Sequence, residues 1–117
     1  MKNNNVLKNA TDHFREKIGG DMVKVHVPEW KADIWFKRTN TLAEESKIIS
    51  LAQKGETIEA LVETLIVKAR NEDGSKMFKP VEKQVFMNEI DPNVLIRVVG
   101  EINALSAQAN LDETVKN

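Results

Sequence analysis

Two alternating runs on either side of Pro28-Glu29-Trp30-Lys31 constrain this chain more than any other feature. Val23, Val25 and Val27 alternate with Lys24 and His26. After the turn, Ala32, Ile34 and Phe36 alternate with Asp33, Trp35 and Lys37. A period of two sorts apolar and polar side chains onto opposite faces of a strand, so residues 22–38 read as an antiparallel hairpin closed by a four-residue turn. Two strands alone are marginally stable in water, and their apolar face requires a helix or another copy of the chain to cover it.

Helices are what the remainder supplies. Val6, Leu7, Ala10, Phe14 and Ile18 fall along one helical stripe that Gly19-Gly20 ends. Thr41 is placed to cap a helix with Glu44 reaching back, and Leu42, Ile48, Ile49 and Ala52 are its expected buried side. Gly55 breaks that helix. In the next one Ile58, Leu61, Val62, Leu65, Ile66 and Ala69 keep helical spacing, while Glu59, Glu63, Lys68 and Arg70 fall elsewhere, so it is expected at the centre of the core.

Asn71-Glu72-Asp73-Gly74-Ser75 reads as a polar turn. Pro80 then opens a helix carrying Val81, Val85, Phe86 and Ile90. Asp91-Pro92 caps a last helix with the stripe Val94, Leu95, Val98, Val99, Ile102 and Leu105. The stripe lapses beyond Gln108. The expected fold is α+β and mostly α: an N-terminal helix, one antiparallel β-hairpin, then about four helices packed as a small bundle. Residues 1–107 are expected to form a single domain and 108–117 a flexible C-terminal tail. A chain of 117 residues has room for one core of this kind, and not for a catalytic domain beside a cofactor domain.

Composition narrows the chemistry. The absence of cysteine removes disulfides, thiolate metal sites and cysteine nucleophiles. A net charge of -1, from 17 basic and 18 acidic residues, disfavours a basic nucleic-acid module. No apolar run approaches the roughly 20 residues that span a bilayer, and the N-terminus lacks the apolar centre of a secretory signal. The expectation is therefore a cytoplasmic protein that binds no membrane.

Individual motifs add little. His13 and His26 sit on different elements, and a metal would have to recruit distant carboxylates. With Gly74 at the sixth position of a calcium loop, Ala69 and Pro80 fall where carboxylates are required, so the segment is a turn. No phosphate-cradling glycine pattern occurs, and Ser46, Ser50, Ser75 and Ser106 lie outside any nucleophile elbow. Glu44-Glu45 and the pair Glu59 with Glu63 read as solvated helix surface rather than acid and base. The helices around Gly55 could form a helix-turn-helix, but Glu56 and Glu59 would repel phosphate at the start of the recognition helix. The expectation is no enzyme activity, no cofactor, no metal and no nucleic acid.

Trp30, Trp35 and Phe36 place three of the six aromatic residues within seven positions. Alternation puts Trp35 opposite Ile34 and Phe36. Trp30 and Trp35 are thus the candidate partner-binding residues, since desolvated aromatics contribute disproportionately to interfaces. Coverage of that face by a terminal helix is the alternative.

The order of segments resembles the tail assembly chaperones of long-tailed bacteriophages. The residues that carry the likeness are the hairpin leading into Lys37-Arg38-Thr39-Asn40-Thr41-Leu42-Ala43-Glu44-Glu45, then Lys68-Ala69-Arg70-Asn71-Glu72-Asp73-Gly74 followed by Phe78, then Glu101-Ile102-Asn103-Ala104-Leu105. The likeness spans about Val23 to Leu105 and departs at the Pro28-Glu29-Trp30 turn and the asparagine-rich N-terminal helix. It implies a non-catalytic protein that coats the tape measure protein in the host cytoplasm and leaves as tail tube subunits polymerise, so that it is missing from the mature virion. Self-association and contact with the tail tube protein are further implications, and in some relatives a frameshift appends a second domain. A small structural virion protein, for tail completion or head–tail connection, is the alternative.

Overall fold

The computed structural model describes residues 2–18 and 22–116, and side chains of residues 5–16 and 22–105. Among the described residues it holds five α-helices and a three-stranded antiparallel sheet, a mostly α, α+β fold. The alternating runs form β1 (Val23–Val27) and β2 (Ala32–Phe36), in register Val25 with Ile34 and Val27 with Ala32. Their four-residue turn is one turn of 3-10 helix, Pro28–Trp30, closed by Lys31 in the left-handed region at φ 51°, whose N–H donates to the Pro28 carbonyl at 3.1 Å.

The sheet has one strand more than the sequence reading expected. β3 (Ala69–Arg70) pairs with β2, Trp35 opposite Arg70 and Phe36 opposite Ala69, giving the order β1-β2-β3. The Lys37 N–H donates to the Lys68 carbonyl at 3.1 Å and prolongs that pairing. Two residues are too few to display an alternation, which is why the strand reads as the end of a helix.

α1 (Lys2–Ile18) precedes the sheet, and α2 (Leu42–Gln53) and α3 (Thr57–Lys68) follow it. A 3-10 turn at Pro80–Glu82 leads into α4 (Lys83–Glu89), and α5 runs Pro92–Lys116. Thr41 and Glu44 form the expected capping box: the Thr41 hydroxyl accepts from the Glu44 N–H at 3.1 Å, and Glu44 Oε1 accepts from the Thr41 N–H at 2.9 Å. Asp91 caps α5 by accepting from the Asn93 N–H at 2.9 Å. The expected Gly19-Gly20 stop lies outside the described residues. The segment 108–117, expected to be a flexible tail, falls in the last turns of α5 as far as Lys116, and its side chains are not among those described.

The core is a single cluster. Val25, Val27, Ile34 and Phe36 on the inner sheet face pack with Val62, Leu65 and Ile66 of α3, and Val94, Leu95, Val98, Val99 and Ile102 of α5 complete it. α3 is central as expected, but its burial runs almost all round: Glu63, Thr64 and Lys68 are buried with the apolar residues. Glu63 and Lys68 had been assigned to the outside. α2, in contrast, buries no residue fully, and Leu42 is 90% exposed with Ile49 and Ala52 also outside. The cause is local. Glu44 is turned inward by the Lys37 ammonium at 2.7 Å, and Leu42 stands about 200° around the helix from Glu44.

Two outcomes check this packing. Leu65→Ala is expected to cost about 2 to 5 kcal/mol in urea denaturation, because it empties a fully buried site. Leu42→Ala is expected to stay within about 0.5 kcal/mol of the parent. A third concerns Glu44. Burial pushes its carboxyl up, but hydrogen bonds from Lys37 and the Thr41 N–H outweigh that and hold it below its ordinary 4.5. A carboxyl with a folded value below the unfolded one lends stability above the unfolded value and loses it as pH falls through the folded one. Stability should therefore decline in acid below about pH 4.5, and Glu44→Gln should flatten that part of the curve in urea melts run across pH.

Candidate functional site

An apolar groove of about 370 Å³ opens between the hairpin tip and α4. Ala32 and the fully buried Ile34 of β2 contribute its floor. Met77 and Phe78, from the segment after the 71–75 turn, meet Val85 and Phe86 of α4 and Ile90 beyond it. The Phe78 and Phe86 rings pack edge to face, with centroids 4.8 Å apart at 85°. Trp30 stands at the hairpin end of the groove, and Glu82 is its single charged lining residue.

Sequence dictates each of these positions. The turn at Asn71–Ser75 is built by Asp73 Oδ1, which accepts from the Ser75 N–H at 2.9 Å and the Ser75 hydroxyl at 2.6 Å, with Gly74 at φ +91°. That turn sends Met77 and Phe78 back along the sheet, where the Met77 N–H donates to the Ala69 carbonyl at 3.3 Å. Glu82 Oε1 accepts from the Lys79 N–H at 2.7 Å and so fixes the start of the Pro80 turn. Lys83 Nζ reaches Glu59 of α3 at 2.9 Å and holds the first turn of α4 against the core.

Trp30 is positioned by its neighbour. Arg97 of α5 donates two hydrogen bonds to Glu29, each at 2.6 Å, in a fork that ties the hairpin tip to the last helix. These bonds from Arg97, with a backbone N–H bond second, pull the Glu29 carboxyl down to about 2. Trp30, the next residue, is half-buried against the core cluster.

The two candidate tryptophans are not brought together. Trp35 lies on the outer sheet face, opposite Ile34 and Phe36 as alternation requires, between Lys24 of β1 and Arg70 of β3 in the cross-strand register. On the same face His26 Nδ1 is 2.7 Å from Asp33 Oδ1. Trp30 belongs to the groove on the other side. Sequence reasoning missed the groove's other members, although the apolar residues Met77, Phe78 and Val85 clustered around Pro80 were a usable signal.

Glu63 and Lys83 form a further set of ion pairs. Glu63 Oε1 is 3.1 Å from Lys47 and its Oε2 is 3.7 Å from Lys83; Lys83 is pushed above its ordinary value, chiefly by its bond to Glu59. Burial pushes Lys68 down. Among the described residues, no group of three or more His, Cys, Asp or Glu is placed to hold a metal ion, and no helix is long and apolar enough to cross a membrane. α3, the second helix of the pair around Gly55, is buried from Val62 to Lys68, while Thr57 and Ile58 at its start are exposed. What the arrangement offers chemically is a dry surface for an apolar side chain with one carboxylate beside it.

No family model, curated protein or solved structure matches the chain.

The clamp has a spectroscopic signature. In carboxyl NMR titration Glu29 is expected to have its midpoint at about 2, and Arg97→Ala should return it towards 4.5. The same shift should shrink in high salt, because the pair is exposed and screened.

Proposed function

We propose that this protein is a non-catalytic assembly chaperone that covers the apolar stripe of a long helical partner, the tape measure protein of a bacteriophage tail. One observation carries the reading: a concave apolar groove, with a tryptophan fixed at its edge and a lone carboxylate at its rim, on a small α-rich chain. Helix-in-groove recognition uses this combination, in which aliphatic anchors at helical spacing enter an apolar trough. The segment order of Val23 to Leu105, with its resemblance to tail assembly chaperones, supplies the identity of the helix.

A groove of 370 Å³ accommodates few side chains and gives modest affinity per copy. Repetition along a long client supplies avidity, and weak single contacts permit displacement when tail tube subunits arrive. The protein works in the host cytoplasm and is absent from the finished particle; a tail-completion or connector component would instead remain there at fixed copy number.

Co-expression with the longest helical protein encoded nearby, followed by size exclusion with light scattering, tests the reading. The client is expected to be soluble only in company, at many copies of this chain per client. Val85→Glu, which places a charge in the groove at an already exposed position, should reduce that yield about tenfold while leaving the circular dichroism spectrum unchanged. Separate elution with an aggregated client would reject it in favour of a structural virion role.

A further inference from the structure

α1 is a helix without a cover. Its side chains from Asn5 to Glu16 are exposed apart from Asp12 and Phe14, which are half-buried. Phe14 and Ala10 border a second apolar hollow beside Thr41 and Leu42, whereas the first turns stand clear: Val6 is 67% and Leu7 65% exposed. Val6, Ala10, Phe14 and Leu7 nevertheless share one stripe. Three consecutive asparagines at 3–5, and Thr11 and His13 beyond them, are indifferent helix formers. A helix of this length is marginal in water on its own and normally draws its stability from packing an apolar face.

The same chain carries a trough of matching character. The groove is concave where α1 is convex, and the stripe of α1 is apolar like the groove's lining. Their charges are opposite. Lys2, Lys8, Arg15 and Lys17 against Asp12 and Glu16 leave α1 at +2, and Lys8 and Arg15 share the single carboxylate of Asp12 at 3.0 and 3.5 Å. The groove's one charged lining residue is Glu82.

We propose that the N-terminal half of α1, led by Val6 and Leu7 with Lys8 towards Glu82, docks in the groove of a second copy of this chain. The contact joins two different surfaces, so it is head-to-tail and propagates into a ring or a row of copies. It stands whether or not a helical client exists. Where one does, α1 of a neighbour occupies the trough until the client replaces it.

The chain contains no cysteine, which makes the contact directly testable. Full-length Leu7→Cys and Val85→Cys variants, each with one thiol at an exposed position, are mixed and treated with a short bismaleimide. The expected result is a covalent heterodimer in the mixture, in clear excess over the homodimers that either variant gives alone. Light scattering of the unmodified protein should show mass rising with concentration. Leu7→Glu should weaken that association about tenfold or more with helix content retained. Three results would overturn the proposal: a monomer at every concentration, cross-linking of Leu7→Cys to itself in place of Val85→Cys, or cross-linking within single chains of the double variant at high dilution. Because no client is present, failure here leaves the chaperone reading standing, and failure of client solubilisation leaves this contact standing.

Discussion

Burial of the hairpin's inner face is the constraint on which the rest of this structure depends. Val25, Val27, Ile34 and Phe36 present an apolar surface that two short strands cannot keep dry, and α3 and α5 provide the second layer. Once α3 lies there, its polar residues Glu63, Thr64 and Lys68 are buried with it. They are accommodated by local means: the Thr64 hydroxyl donates to the Ala60 carbonyl at 2.9 Å, and Glu63 meets Lys47 and Lys83. Breaking one partner of such a pair costs more than the pair contributes, because it leaves a buried charge alone. The ion pairs therefore act as conditions on where α2 and α4 sit rather than as a source of stability.

The legible parts of the fold were those written in short-range periodicity. Alternation around Pro28 located both strands and their register, and Thr41 with Glu44 marked the start of α2, because each depends on residues only a few positions apart. Leu42 was misread for the same reason. Its apolar character fits a buried stripe, yet α2 is turned by Lys37, just past the end of β2, reaching Glu44. The inward placement of Lys68 and Glu63 likewise follows from α3 being enclosed by the sheet, α4 and α5, which no window of a single helix can reveal.

The candidate site was legible only in part. Trp30 was singled out for its size and its place in a turn, and Trp35 for its parity on β2; the structure puts them on opposite sides of the sheet. The groove itself depends on Glu29 and Arg97, separated by 68 positions, and on Lys83 and Glu59, separated by 24. Contacts at such distance leave no periodic trace. The Asn71–Ser75 turn was read as a turn, but its effect, the return of Met77 and Phe78 across β2, needed the third strand to be seen.

That third strand also determines which parts of the chain can open independently. α3 ends at Lys68 and β3 begins at Ala69, with no linker between them. Peeling β3 from Phe36 strains the last turn of α3, and unwinding that turn removes the carbonyl that holds Lys37. Helix and sheet are thereby fused into one unit that opens cooperatively in the sense of amide exchange. α4 is attached to that unit by other means, through Phe86 in the core and the Lys83–Glu59 ion pair, so the groove wall it forms rests on side-chain contacts where the floor rests on backbone pairing.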